Sequence, residues 1–74
     1  MTLSMAPKDQ QLMVHKITGR DDVRRFLANL GFVEGAQVYV VSELNGNIII
    51  NIKETRVAID KTLSNRILVN TVGA

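Results

Sequence analysis

The sequence of 74 residues has no cysteine, no tryptophan and a single histidine. Without cysteine there is no disulfide framework, thiolate nucleophile, iron–sulfur cluster or zinc knuckle. Aromatic residues make up 4% of the chain, as two Phe and one Tyr. This is too few for a groove that binds proline-rich peptides, or for a platform on which nucleic-acid bases stack.

Charge and apolar runs are also modest. Lys and Arg number 9 against 7 Asp and Glu, so the net charge of +2 gives no reason to expect nucleic acid as a partner. Apolar stretches such as Ile48-Ile49-Ile50 are far shorter than the roughly 20 residues that span a bilayer. Polar residues 8–11 stand where a secretory signal needs an apolar run. We therefore expect a cytoplasmic protein without direct membrane insertion.

The length predicts one small domain over residues 1–74, with residues 1–9 as a lead-in or tail that contains the single Pro7. A chain of this size buries only about 60–65% of the surface that its unfolded form exposes. A function on the surface or in a shallow groove is therefore expected, rather than an enclosed active site.

Alternating apolar residues predict five strands, over residues 11–17, 37–44, 47–53, 56–60 and 67–71. Asn45-Gly46 predicts a type I′ hairpin turn, which needs a positive φ at both central residues. A short helical or 3₁₀ turn is predicted at about 62–65.

A helix is predicted over about 21–30, with Asp21 as its N-cap and Gly31 as its left-handed C-terminal stop. The residues expected to face the core are spaced at i, i+3, i+4 and i+7, namely Val23, Phe26, Leu27 and Leu30. Five short strands would leave long bare edges in an open sheet, so pairing of the first and last strands is expected. The predicted fold is mostly β, a small SH3-like barrel with one inserted helix that closes one end.

No catalytic constellation is present in the sequence. The serines lie outside nucleophile-elbow contexts, and no phosphate-binding glycine motif occurs. We therefore expect a protein that is not an enzyme and requires no cofactor.

The single imidazole, His15, is the candidate metal ligand, and the carboxylates that would assist it are Asp9, Glu43 or Asp60. Protein metal sites normally need three or four donors, often several of them nitrogen or sulfur. An alternative interpretation of His15 is an exposed strand residue without a ligand role.

The candidate partner-binding residues are Arg24 and Arg25, on the polar side of the predicted helix, together with Arg56. Arginines clustered on one surface favour docking of an acidic partner. A solvated helix face without a partner is the alternative interpretation.

The order of elements and several motifs resemble the FeoA family of bacterial ferrous iron transport. The most specific part is Leu30-Gly31-Phe32-Val33-Glu34-Gly35 at the helix end, and Leu3 with Pro7, Arg56-Val57-Ala58-Ile59 and Ile67-Leu68-Val69 also match. The chain departs from the family pattern in its turns, where Glu54 stands in place of the usual Gly before the Arg-x-Ala strand.

The resemblance implies an SH3-like domain related to the C-terminal domain of DtxR-type repressors. It also implies binding to the cytosolic part of a FeoB-type permease, which the protein would regulate or assemble. The family's metal label implies weak binding of a transition metal such as iron. The sequence leaves open a repressor-type or nucleic-acid-associated module as the alternative function, and homo-oligomerisation as an assembly state.

Overall fold

The computed structural model describes residues 1–72, which form a single five-stranded antiparallel sheet. The strands are β1 (Gln11–Ile17), β2 (Gln37–Leu44), β3 (Asn47–Ile52), β4 (Thr55–Asp60) and β5 (Ile67–Thr71). Helix α1 (Asp21–Asn29) follows β1, α2 (Lys61–Ser64) follows β4, and a 3₁₀ turn (Leu3–Met5) precedes β1. The strand order is β4-β3-β2-β1-β5, so the expected mostly β architecture and the pairing of the first and last strands are confirmed.

The core lies on one face of the sheet, because successive strand side chains point to opposite faces. Leu12 and Val14 of β1 are buried while Met13 between them is exposed, as the alternation predicts. The buried apolar residues are Leu3, Leu12, Val14, Leu27, Phe32, Val38, Val40, Ile48, Ile50, Ile52, Ile59, Ile67 and Val69. No helix within residues 1–72 is long and apolar enough to cross a membrane.

The lead-in packs against the sheet. Leu3 is only 1% exposed and belongs to the core. Thr2 forms a bridge with Leu68, and the Val69 amide donates a hydrogen bond of 2.8 Å to the Met1 carbonyl. The start of the chain thus covers part of the free edge of β5, and the edge of β4 lies at the other end of the sheet.

Helix α1 begins at Asp21 as predicted, but its N-cap lies one residue before the predicted one. The Arg24 amide donates to the Arg20 carbonyl at 2.9 Å, so Arg20 is the N-cap, and it makes no side-chain capping bond. The prediction of Asp21 as N-cap is therefore wrong. Asp21 and Asp22 lie in the first turn instead, where their carboxylates interact favourably with the positive end of the helix dipole.

The end of α1 is confirmed as a left-handed glycine stop. Gly31 has a φ of +109°, its amide donates to the Ala28 carbonyl at 2.9 Å, and the Phe32 amide donates to the Leu27 carbonyl at 3.0 Å. These two bonds define a Schellman motif, which satisfies carbonyls that the helix end would otherwise leave free. A Cβ at Gly31 would lie 3.2 Å from Cδ1 of Ile52, so glycine also allows close packing on β3.

The apolar face of α1 is narrower than predicted. Leu27 is fully buried and Val23 and Leu30 are half-buried, but Phe26 is 50% exposed. Adjacent helix residues are about 100° apart, so a stripe centred on Leu27 places Phe26 on its flank. The expectation that Phe26 lies in the core is therefore wrong.

The two tight hairpin turns have residues in the left-handed region. Asn45 and Gly46 have φ of 52° and 81°, so the positive φ predicted at both central positions is confirmed. In the β3–β4 turn, Lys53 has φ of 56° while Glu54 does not have a positive φ. The position in this turn that favours glycine is therefore Lys53.

Candidate functional site

A shallow groove of about 570 Å³ runs between the end of β1, helix α1 and the segment that follows α1. The residues that line it are Lys16, Ile17, Asp21, Arg24, Arg25, Ala28, Phe32, Val33 and Glu34. The Schellman motif at Gly31 reverses the chain at the end of α1 and brings 32–34 beside the helix. We call this feature the α1 groove.

The α1 groove is basic. Lys16, Arg24 and Arg25 contribute three positive charges, and Asp21 and Glu34 contribute two negative charges. Arg24 lies 3.9 Å from Asp21, in an exposed pair whose attraction water largely screens. Within residues 1–72, neither Arg25 nor Lys16 forms an ion pair with a carboxylate. Their charges are therefore available to a partner.

Apolar surface accompanies the basic residues. Val33 is 44% exposed and lines the α1 groove beside the half-buried Ile17. Phe26, next to Arg25 in sequence, also presents half of its surface to solvent. A groove with basic side chains and exposed apolar side chains can bind a segment that carries both carboxylates and apolar residues.

Lys16 is a groove residue that sequence reasoning missed. Strict alternation along β1 places Lys16 on the inner face with Leu12 and Val14. The β1–β5 register shifts between Val14 and Lys16, so His15 is the extra residue of a β-bulge. The bulge turns Lys16 outward, and no residue type in the sequence marks it.

Arg56 lies apart from the α1 groove. It is an exposed residue of β4, and its Nε donates a hydrogen bond of 3.0 Å to the side-chain oxygen of Asn51. Asn51 lines a second hollow, of about 420 Å³, together with Gln11, Gln37, Val38, Tyr39 and Lys53. The two hollows share no residue. The structure therefore brings Arg24 and Arg25 together and leaves Arg56 elsewhere on the surface.

The second hollow contains Tyr39, a titrating residue whose pKa is shifted in the folded protein. The Tyr39 hydroxyl donates a hydrogen bond of 3.3 Å to Oδ1 of Asp9. Partial loss of water around the phenol, followed by the negative charge of Asp9 and this hydrogen bond, raises the pKa of Tyr39 above its ordinary value of 10.0. The phenol, which is neutral at physiological pH at its ordinary pKa as well, acts as the hydrogen-bond donor to Asp9.

The residues around His15 do not fit a metal site. His15 is exposed, and each carboxylate considered for it has another contact: Asp9 with Tyr39, Glu43 with Lys61 at 3.2 Å, and Asp60 with the Leu63 amide at 2.8 Å. Nowhere in the described part of the chain do three His, Cys, Asp or Glu residues come together as a metal-binding group. The residues around His15 therefore do not supply the three or four ligands that a protein metal site normally needs.

Comparison with solved structures supports the fold. An iron uptake regulatory protein, FeoA, superposes with a TM-score of 0.89 at 29% identity over 97% of both chains. Stenotrophomonas maltophilia FeoA, a prokaryotic SH3 domain protein solved with zinc, gives 0.82 at 28% identity over 95% of this chain and 89% of that one. A manganese-dependent transcriptional repressor gives 0.87 at 18% identity, over 97% of this chain but 36% of the repressor, a likeness of fold alone. The SH3-like fold and the likeness to a repressor domain are confirmed.

Comparison by sequence gives the family. No curated protein matches the chain significantly. The model of the FeoA domain matches residues 1–71, which is nearly the whole sequence. The family resemblance seen in the helix-end segment and the final strands is therefore confirmed, and this chain belongs to the FeoA family.

Proposed function

We propose that this protein is a cytosolic accessory protein of bacterial ferrous iron transport that binds the cytosolic part of a FeoB-type permease. Contact through the α1 groove regulates or assembles the permease, and the protein performs no chemistry of its own. The observation that carries the proposal is the groove itself, where Lys16 and Arg25 lack an ion pair within residues 1–72 and exposed Val33 supplies apolar surface.

The electrostatics of the α1 groove support an acidic partner segment. Exposed arginines increase the association rate with a negatively charged surface and can bind carboxylates in bidentate geometry. Interfaces of transient complexes are small and partly polar, which a groove of this size on a 74-residue protein can supply.

Charge reversal on α1 tests the proposal. The double variant Arg24→Glu, Arg25→Glu replaces two attractions with two repulsions. We expect its affinity for the cytosolic domain of the permease encoded in the same genome to fall by about 2 kcal/mol, or roughly thirty-fold. Calorimetry or biolayer interferometry at two salt concentrations measures the effect, and the wild-type affinity is expected to fall as salt rises.

The matched control is Arg20→Glu, which makes one of the same changes at the start of the same helix. Arg20 is not a lining residue of the α1 groove, and its side chain is 86% exposed. We expect Arg20→Glu to bind like the wild type. A loss in the control of about half that of the double variant, or more, would indicate a general charge effect, because the control makes half the change in net charge. Unchanged binding of the double variant would rule out the groove as the contact.

The proposed function needs no metal. Zinc in the Stenotrophomonas maltophilia protein is a property of that structure, and in this chain the single His15 lies on a bulge away from its candidate carboxylates. Protein–protein contact through the α1 groove requires only the side chains that line it.

The alternative function, a repressor-type or nucleic-acid-associated module, is supported only by similarity of fold. The repressor that superposes on this chain is 18% identical, and this chain spans 36% of its length. Asp21 and Glu34 interrupt the basic surface of the α1 groove, and a continuous basic face is what binding to a phosphate backbone requires.

A further inference from the structure

The outer edge of β4 has no partner strand within residues 1–72. The sheet ends at β4 on one side and at β5 on the other, and the lead-in covers part of the β5 edge through Thr2 and Met1. After β4 the chain turns back over the sheet, since Lys61 of α2 forms an ion pair with Glu43 of β2. The edge of β4 is therefore left open, and open edges are templates for pairing with another chain.

The register identifies which backbone groups face this edge. Ile52 and Thr55 close the two-residue turn of the β3–β4 hairpin and form a hydrogen-bonded pair. Bonded and non-bonded pairs alternate along antiparallel strands, so the amides of Arg56, Ala58 and Asp60 point away from β3. All three residues are exposed.

The charges on this edge are complementary to themselves when the strand is reversed. If two copies of β4 pair antiparallel with Ala58 opposite Ala58, Arg56 of each copy lies directly opposite Asp60 of the other. Opposite charges at directly opposed positions stabilise a strand pair, and small Ala58 at the centre allows close approach. On the inner face, half-buried Val57 lies opposite Ile59 and loses more of its exposed surface.

Neighbouring registers lack this match. A shift by two residues in one direction places Glu54 opposite Asp60, which is a repulsive pair. A shift by two residues in the other direction moves Arg56 past the end of the strand to a position opposite Thr62. The charges therefore specify one register among those that the backbone allows.

We infer that β4 is a self-association surface whose partner is a second copy of this chain, paired antiparallel about a two-fold axis at Ala58. The pairing makes backbone hydrogen bonds between the two Ala58 residues and from each Asp60 amide to the carbonyl of the partner's Arg56. Two Arg56–Asp60 ion pairs flank this centre. The surface lies on β4 and leaves the α1 groove open, so both contacts can form at once.

Sedimentation equilibrium from micromolar to millimolar concentration tests the inference, because a single strand pair makes a small interface and a weak dimer. We expect the wild-type mass to rise with concentration from monomer toward dimer. Arg56→Asp and Ala58→Lys place like charges opposite each other in the dimer and are expected to weaken it about ten-fold or more. The exchanged pair Arg56→Asp, Asp60→Arg restores the match and is expected to restore the dimer.

Two further measurements accompany sedimentation: one checks that each variant folds, and the other locates the dimer contact on β4. Asp60 also caps α2 by accepting a hydrogen bond from the Leu63 amide, so each variant is checked for folding by circular dichroism. Amide hydrogen exchange follows Ala58 directly, and its exchange is expected to slow as wild-type concentration rises. Arg20→Asp is the control for the change in net charge and is expected to dimerise like the wild type.

Three outcomes would overturn the inference. The wild type could remain a monomer with unprotected Ala58 up to millimolar concentration. It could form a dimer that Arg56→Asp and Ala58→Lys leave intact, which would place the interface elsewhere. Loss of the dimer in Arg56→Asp without recovery in the exchanged pair, with both variants folded, would exclude the Arg56–Asp60 match. None of these outcomes depends on whether the permease binds the α1 groove.

Discussion

Tyr39 and Asp9 show how a single contact sets the ionisation of a surface group. Tyr39 lies on β2, and Asp9 is held beside it because the Asp9 amide donates a hydrogen bond of 3.1 Å to the Val40 carbonyl. Asp9 itself has a positive φ of 61°, a conformation that Asp tolerates better than most residues. The lead-in therefore positions a carboxylate next to the phenol, and the raised pKa of Tyr39 depends on it.

Replacement of Asp9 by Asn is expected to lower the pKa of Tyr39 toward its ordinary value of 10.0, because one negative charge is removed while the partial burial remains. The near-ultraviolet absorbance of tyrosinate measures this pKa cleanly, since the chain has one Tyr and no Trp. Folding favours the neutral phenol, because the pKa of Tyr39 is higher in the folded protein than in the unfolded chain. As pH rises past 10.0 the unfolded phenol ionises first, so the free energy of unfolding begins to fall. This fall is complete above the pKa of the folded protein. The alkaline loss of stability should therefore be smaller in Asp9→Asn, and an unchanged pKa would contradict a role for the Asp9 charge.

At single positions, sequence reasoning was accurate where alternation or helical spacing alone decides exposure. Leu12 and Val14 share the buried face of β1, as their alternation along the strand indicates. Lys16 and Phe26 are more exposed than alternation and helical spacing predict. A β-bulge turns Lys16 outward, and the narrow contact of α1 with the core leaves Phe26 at its flank. Both effects depend on contacts with residues distant in sequence. Arg24 and Arg25 could be identified as candidates from the sequence, but their placement beside Lys16 and Val33 in one groove could not.

Among the elements, the β3–β4 turn carries local strain at Lys53. A residue with a Cβ in the left-handed region costs about 1–2 kcal/mol, and glycine avoids this cost while losing about 0.5–1 kcal/mol through its greater freedom in the unfolded chain. Lys53, with φ of 56°, is exposed, and no ion pair holds it within residues 1–72. The turn keeps its geometry because β3 and β4 pair along their whole length beside it.

Lys53→Gly is therefore expected to raise the free energy of unfolding by about 0.5–1 kcal/mol, as measured by urea denaturation. Glu54→Gly is the matched control in the same turn. Glu54 does not have a positive φ, so its replacement loses only chain entropy and is expected to destabilise the protein. Stabilisation by Glu54→Gly, or none by Lys53→Gly, would show that strain at Lys53 is not what limits this turn.

The five strands and α1 could be predicted from the sequence because each has a regular apolar period bounded by turn residues. Predicted and observed bounds agree to within one residue, as for β2 (Gln37–Leu44) and β5 (Ile67–Thr71). The 3₁₀ turn Leu3–Met5 has only three residues, which is too short for a repeating apolar pattern, so the sequence does not predict it. Its formation depends on packing against β5 and α2, including a hydrogen bond from Ser4 to Asn65.

At the scale of the whole molecule, a thin core makes every contribution from outside the sheet important. The thirteen buried apolar residues come mostly from the strands, with Leu27 and Phe32 from the α1 region and Leu3 from the lead-in. A small domain has little stability to spare, so a residue that joins the ends of the chain to the core has a large effect. Leu3 performs this role, while Met5 two positions later is 78% exposed.

Leu3→Ala is expected to lower the free energy of unfolding by about 2–5 kcal/mol, the range for truncation of a buried leucine, because it removes apolar contact and leaves a cavity under the sheet. Met5→Ala changes a similar volume in the same 3₁₀ turn but exposes nothing new, and it is expected to stay within about 0.5 kcal/mol of the wild type. Chemical denaturation of both variants compares them directly. If both lose little, the lead-in is a loosely attached tail. If Leu3→Ala alone is costly, residues 1–9 are part of the fold, and the β5 edge that they cover is closed to the pairing that we infer for β4.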